Sequence, residues 1–303
     1  MIAVDWGTSS FRAYRLDASG AVLEQRSAAA GLLACQGQFE PMLAQQLAGW
    51  SDELIVMAGM IGSRNGWREV PYVACPAGLD EIAAGMLLVV AESLPGRRIF
   101  IAPGLSRRPE PGASGAPEVM RGEETQLLGL FDELRGTGPH AVCLPGTHSK
   151  WATVGGERIN AFHTAMTGEL YAVLKQHSLL GVLMDHDASA AAEDAPAFEL
   201  GVRTSRDAGG LLSHLFSVRT RGLFGELSAA QLPSYLSGLL IGHELQGLLA
   251  GAQNVHLIGS EALVQRYRRA LGLCGVDVQL HGEALAAHGL YRLAVAARLT
   301  ERS

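Results

Sequence analysis

The residues with the clearest chemical potential form the turn Asp5-Trp6-Gly7-Thr8-Ser9-Ser10, which follows the apolar run MIAV. A carboxylate at the end of a buried strand can hold a hydrated magnesium ion. The adjoining glycine turn, with its free amides and hydroxyls, can donate hydrogen bonds to phosphate oxygens. An ordinary β-hairpin uses the same residue types, and a short glycine motif alone is weak evidence. This turn has an echo: residues 141–163 (AVCLPGTHSKWATVGGERINAFH) repeat the layout of apolar strand, Gly-Thr-x-Ser turn, strand, glycine turn and third strand. Gly7 and Thr8 correspond to Gly146 and Thr147, and Ser10 to Ser149, with His148 inside the second turn and Lys150 just after it. Repetition at that separation means that each half of the chain opens on the same unit. Two such hairpins facing each other clamp a triphosphate without a Walker motif. The chain has no GxxxxGK[ST], HRD or DFG element, which removes the P-loop and protein kinases.

The elements that must position these turns alternate between strand and helix. Residues 1–5, FRAYRLD and AVLEQRSA read as three antiparallel strands; a helix over about 40–49, a strand over 53–57, a helix over 79–92 and a strand over 99–103 follow. Residues 103–117 are rich in Pro, Gly and Ser and are expected to form a mobile loop. After the second hairpin unit come helices over 168–178, roughly 193–216 and 228–251, then a strand (NVHLIG) running into a helix from Ser260. A strand (VDVQL) and a closing helix from Glu283 to about Leu299 end the chain. At 303 residues, with 48% hydrophobic and 18% charged residues, the chain is long enough for two well-buried α/β domains. They are set at 1–135 and 136–303.

Composition excludes several functions. A net charge of −6 with no basic run leaves nucleic-acid binding without its electrostatic source. Cys35, Cys75, Cys143 and Cys274 are too dispersed for a zinc knuckle or a disulfide framework. The apolar stretch near 236–252 is interrupted by His243, Glu244 and Gln246, and no basic leader precedes the first strand, so a cytoplasmic protein without membrane contact is expected. A homodimer is left open.

The hairpin DWGTSSFRAYRLD resembles the first phosphate motif of the sugar kinase, Hsp70 and actin superfamily, and LPGTHSKW resembles its second. VHLIGSEALVQRYRRAL is similar to its adenosine motif, with Gly259 and Ser260 at the turn. Within that superfamily, MAGMIGSRNGW with Pro71 and Tyr72, VMRGEETQLLG, LPGTHSKW, MTGEL and LSGLLIG are similar to the 2-dehydro-3-deoxygalactonokinase family, in order along nearly the whole chain. The resemblance implies two actin-like (ribonuclease H-like) domains with ATP in the cleft between them. It also implies ATP and Mg2+ as cofactors and transfer of the γ-phosphoryl group to the 6-hydroxyl of 2-dehydro-3-deoxy-D-galactonate.

In the related sugar kinases the catalytic base is an Asp after a glycine at a helix start, shortly before the second phosphate hairpin. The matching segment here is Arg121-Gly122-Glu123-Glu124, which makes Glu123 the candidate base and Glu124 its reserve. Acidic residues at a helix start are also favoured by the macrodipole alone. Asp5 is the candidate magnesium ligand through water. Gly7, Thr8, Ser9, Gly146, Thr147, His148, Ser149, Lys150, Gly259 and Ser260 are the candidate ATP contacts. A guanidinium suits the carboxylate of an acid sugar, so Arg12, Arg64 and Arg121 are candidates for the substrate, with Ser63, Trp67 and Tyr72 along its pocket. Two other readings fit the ATP motifs: a kinase of another acid sugar or hexose, and a nucleotide-gated binding or assembly protein of the actin or Hsp70 type.

Overall fold

The computed structural model describes all residues except 110, 111, 113, 135, 137, 186–193, 283, 302 and 303. The first strand, β1 (Ile2–Trp6), is apolar at four of its five positions because it is central: Ile2, Ala3, Val4 and Trp6 are all fully buried. β2 (Phe11–Leu16) pairs with it antiparallel and β3 (Val22–Ala28) pairs antiparallel with β2, which puts Asp5 opposite Arg12 and Trp6 opposite Phe11. After α1 (Leu32–Cys35) and α2 (Phe39–Gln46), β4 (Leu54–Ala58) enters parallel to β1 on its other side with all five residues buried. Next come β5 (Val73–Ala74), β6 (Ala77–Gly78), α3 (Leu79–Ala84), β7 (Leu87–Val89) and β8 (Arg98–Ile101), the last parallel to β4. β9 (Leu105–Arg107) and β10 (Glu118–Met120) form a small sheet with β5, and α4 (Glu123–Leu130) closes this stretch. The main sheet has the order β3-β2-β1-β4-β8-β7.

The second half repeats the pattern. β11 (His140–Leu144), β12 (Ser149–Gly155) and β13 (Arg158–Ala165) are neighbours joined by turns too short for a parallel crossover. Then follow α5 (Thr167–His177), α6 (Ala195–Thr204), α7 (Gly210–Leu223) and α8 (Leu232–Leu248), the last buried along most of its length up to Leu245. β14 (Asn254–Ile258) lies parallel to β11, α9 (Glu261–Leu273) follows it, β15 (Asp277–His281) lies parallel to β14, and α10 (Leu285–Ala296) ends the fold. This sheet has the order β15-β14-β11-β12-β13-β6. Read from the hairpin outward, both sheets place the third, second and first strands of the hairpin unit beside two parallel strands, β4 and β8 in one and β14 and β15 in the other, so the repeat seen in the residues is a repeat of topology.

Two compact units result: Met1–His140 with Ala152–Phe162 and Gly282–Ser303, and Ala141–Trp151 with His163–His281. The single boundary expected from the sequence follows residue 135, which lies outside the described residues. In the structure α10 belongs with the first unit, where it crosses α4 so closely that a side-chain carbon on Gly289 would overlap the Thr125 carbonyl, and one on Gly129 the Leu285 carbonyl.

Three expected elements differ. The helix expected over 79–92 stops at Ala84, and Leu87–Val89 is an edge strand antiparallel to β8; so short an apolar run fits either period, and strand pairing decides. The helix expected over 193–216 breaks in two between Thr204 and Gly210, where Gly209 and Gly210 have φ values of +132° and +75°; its expected start, residue 193, and residue 283 of the closing helix lie outside the described residues. Within the loop expected over 103–117, Leu105–Arg107 is strand β9.

Candidate active site

In the first unit the Gly7–Ser10 turn is closed by the Gly7 amide donating to the Ser10 carbonyl at 2.9 Å, and Thr8, Ser9 and Ser10 are exposed. The start of α1 braces it: the amides of Leu32 and Leu33 donate to the carbonyls of Gly7 (3.1 Å) and Thr8 (3.2 Å). Gly31 makes this approach possible, since a side-chain carbon there would lie 2.5 Å from Ser9 Cα.

Asp5 sits at the end of β1 beside this turn, with Arg12 Nε 3.8 Å from its Oδ2. Two glycines close around its other oxygen. Gly59, just after β4, has φ +93°, and Gly122, just before α4, has φ +107°. A side-chain carbon on Gly59 would lie 2.7 Å from Trp6 O and 3.3 Å from Asp5 Oδ1; one on Gly122 would lie 3.2 Å from Gly59 Cα and 3.9 Å from Asp5 Oδ1. Only glycine takes that backbone without strain and leaves that space open. Three chain segments thus converge on one carboxylate. Among the described residues no three His, Cys, Asp or Glu side chains cluster as a metal cage. One carboxylate at such a point suits magnesium, which keeps most of its waters and takes the rest of its ligands from phosphates.

The helix that starts at this convergence carries both candidate bases, in different surroundings. Glu123 is partly exposed, and its Oε2 accepts from the Arg121 amide at 3.0 Å. Glu124 is fully buried; its Oε2 accepts from the Gly122 amide at 2.7 Å, while Oε1 is buried without a hydrogen-bond partner. Burial, then the neighbouring Glu123 charge, push the Glu124 carboxyl up to about 8. Arg121 is also buried: one terminal nitrogen donates to the Val70 carbonyl at 2.7 Å, its guanidinium lies 4.4 Å from the Tyr72 ring centre, and Nε and Nη1 have no partner.

The remaining substrate candidates divide. Ser63 follows Gly62, where a side-chain carbon would lie 2.8 Å from Arg121 Nη1, and the Ser63 hydroxyl is buried without a partner. Tyr72 is brought to Arg121, and Trp67 is half-buried against the unit's core. Arg64 lies at the surface, 3.6 Å from Glu69 and 85% exposed.

In the second unit, Gly146 and Thr147 form the turn between β11 and β12, and the head of α5 is pressed onto it. A side-chain carbon on Gly168 would lie 2.8 Å from Thr147 Cα, the Glu169 amide donates to the Thr147 carbonyl at 3.0 Å, and the Glu169 carboxylate meets His148 Nε2. Lys150 is buried, with its ammonium donating to the His148 carbonyl at 3.0 Å, so it braces the turn from beneath instead of being a solvated strand residue. Ser149 is also turned inward, its hydroxyl 2.8 Å from Tyr267. Gly259 and Ser260 join β14 to α9 as expected, with Ser260 at the helix cap; a side-chain carbon on Gly259 would be in ordinary van der Waals contact with Pro145, the residue that enters the Gly146–His148 turn.

Several supports were not anticipated from sequence: Gly31, Gly59, Thr167, Glu169, Tyr267 and Glu244. MTGEL contains Thr167 and Glu169, and Glu244 stood out only as a charge interrupting an apolar stretch.

A duplicated ribonuclease H-like topology, with a glycine hairpin opening each copy, defines an actin-like α/β protein of the sugar kinase class. A model of the 2-keto-3-deoxy-galactonokinase family matches residues 5–293, and the chain belongs to that family. It is 42% identical to the "Probable 2-dehydro-3-deoxygalactonokinase DgoK1" of Rhizobium meliloti (strain 1021), over 91% of this chain and 90% of that protein. It is 35% identical to the 2-dehydro-3-deoxygalactonokinase of Escherichia coli (strain K12), over 91% of each. A crystal structure from Sinorhizobium meliloti superposes with a TM-score of 0.86 at 39% identity, covering 98% of this chain and 96% of that one.

Proposed function

We propose that the protein transfers the γ-phosphoryl group of ATP to the 6-hydroxyl of 2-dehydro-3-deoxy-D-galactonate. The observation that carries this reading is the convergence of Gly59 and Gly122 on Asp5, because it sets the helix bearing Glu123 beside a carboxylate suited to magnesium. The relatives named above supply the acceptor.

In this reading the amides and hydroxyls of Gly7, Thr8 and Ser9 and the turn of Gly146, Thr147 and His148 bind the phosphates, and Gly259-Ser260 takes the adenosine. Asp5 holds magnesium through water; that ion, when bound, supplies charge neutralisation on the phosphates. Glu123 accepts the proton of the sugar hydroxyl as its oxygen bonds to the γ-phosphorus, and the bond from that phosphorus to the β-phosphate bridging oxygen breaks, releasing ADP. Arg121, with Ser63 and Tyr72 beside it, reads the acid end of the sugar, and Arg12, 3.8 Å from Asp5, aligns that carboxylate.

A coupled assay of ADP release tests this across a panel of 2-keto-3-deoxy acids and common hexoses with ATP and magnesium. The expected result is turnover with 2-dehydro-3-deoxygalactonate at least about 100-fold above any hexose, the ratio that losing a charged contact to a buried arginine produces. Turnover of hexoses alone overturns the acceptor, and no turnover with any sugar overturns the kinase reading.

A further inference from the structure

Glu244 lies on α8, within the apolar stretch, and is buried at 6% exposure. Three side chains converge on its carboxylate: Trp151 Nε1 donates to Oε1 at 2.7 Å, the Tyr267 hydroxyl donates to Oε2 at 2.7 Å, and the Thr167 hydroxyl also donates to Oε2. Tyr267 has one proton and directs it at Glu244, so the 2.8 Å contact between the Ser149 and Tyr267 hydroxyls has Ser149 as its donor. Every proton in the chain Ser149, Tyr267, Glu244 therefore points toward the carboxylate, as do those of Trp151 and Thr167. Burial raises the Glu244 carboxyl, and the bonds from Thr167, Trp151 and Tyr267 oppose that rise.

The partners are not scattered. Ser149 and Trp151 belong to the first residues of β12, directly after the Gly146–His148 turn. Thr167 opens α5, and the next two residues, Gly168 and Glu169, are those pressed onto the same turn. One carboxylate thus ties the strand that leaves the turn to the helix head that covers it. We infer that Glu244 is a positioning residue, which fixes the amides of the Gly146–His148 turn for the phosphates of a nucleoside triphosphate. The inference rests on the kinase reading for the identity of that ligand.

The test measures the affinity of a non-hydrolysable ATP analogue by calorimetry, with no sugar present, beside the affinity of adenosine, which has no phosphates. Thr167→Val and Tyr267→Phe each remove one donor at nearly constant shape, Glu244→Gln replaces two acceptors with one, and Thr167→Ser restores the donor. Losing a hydrogen bond to a charged group corresponds to roughly 10- to 100-fold. The analogue should weaken by about that factor in Thr167→Val and in Tyr267→Phe, adenosine should stay within about 2-fold, and Thr167→Ser should bind as wild type. Wild-type affinity for the analogue in both single-donor variants, or equal losses for analogue and adenosine, overturns the inference while leaving the kinase reading intact. A wild-type protein that binds adenosine and analogue alike overturns it too, and one that binds neither removes the kinase reading with it. If Glu244→Gln does not fold, the two donor variants and the Ser rescue still decide.

Discussion

Glu123 and Glu124 are adjacent and chemically alike, and the structure separates them by surroundings: one partly exposed at the head of α4, the other sealed inside it. General-base assistance is worth about 100- to 10,000-fold, so Glu123→Gln should lower kcat into that range while both KM values stay within a few-fold. Glu124→Gln should lower kcat by less than about 10-fold, because a buried carboxyl cannot reach a bound hydroxyl and successive helical residues point about 100° apart. Steady-state kinetics of the two variants check this, and a reversal would make Glu124 the base. Asp5→Asn keeps the shape of the β1 end but removes its charge. Turnover should fall by about 100-fold or more, in line with loss of a charge-stabilising group, with the melting temperature little changed. A magnesium titration separates that from misfolding: unchanged kinetics across it would remove Asp5 from the site.

The elements around those residues carry strain of a kind that can be titrated. With its folded-state carboxyl raised to about 8 from an ordinary value near 4.5, Glu124 keeps its proton in the folded protein at pH values where the unfolded chain has lost it. Stability from this group is therefore intact below about pH 4.5, falls as the pH rises toward 8, and levels off above, for a loss on the order of a few kcal/mol. Urea unfolding should show Glu124→Gln more stable than wild type at pH 8.5 and nearly equal to it at pH 5. The same helix meets α10 where no side chain fits. Gly289→Ala would drive a methyl group into the Thr125 carbonyl and should cost about 2–4 kcal/mol, whereas Gly247→Ala, in α8 with nothing within 4 Å, should be neutral or stabilising by up to about 1 kcal/mol. Thermal melts of the two variants give opposite signs.

At the scale of the whole molecule, what could be read in the residues was local. The two hairpins, the Gly259-Ser260 turn and the order of strands and helices follow from apolar runs and glycine turns, and the echo of Gly7-Thr8 in Gly146-Thr147 carries the duplication. The parts that escaped depend on distant partners. Gly31 and Gly59 are ordinary glycines until Ser9 and Asp5 lie against them, and Glu244 is one charge in an apolar stretch until Trp151, Thr167 and Tyr267 arrive from three other elements. The return of α10 to the first unit is likewise invisible in a pattern read from left to right. There it buries Leu285, Ala286, Ala287, Leu290, Leu293 and Ala294. A chain ending at residue 281 should therefore lose hydrogen-exchange protection in β1, β4 and α4 but keep it in α8 and β14, which mass spectrometry of peptic fragments would show. During synthesis this has a cost in time. About 150 residues separate the end of α4 from the start of α10, and at ~5–20 residues per second a ribosome needs roughly 8 to 30 s to make them. For that interval the apolar strands β1 and β4 are outside the ribosome without the helix that completes their core, so the half of the enzyme made first is finished last and has the longer need of a chaperone.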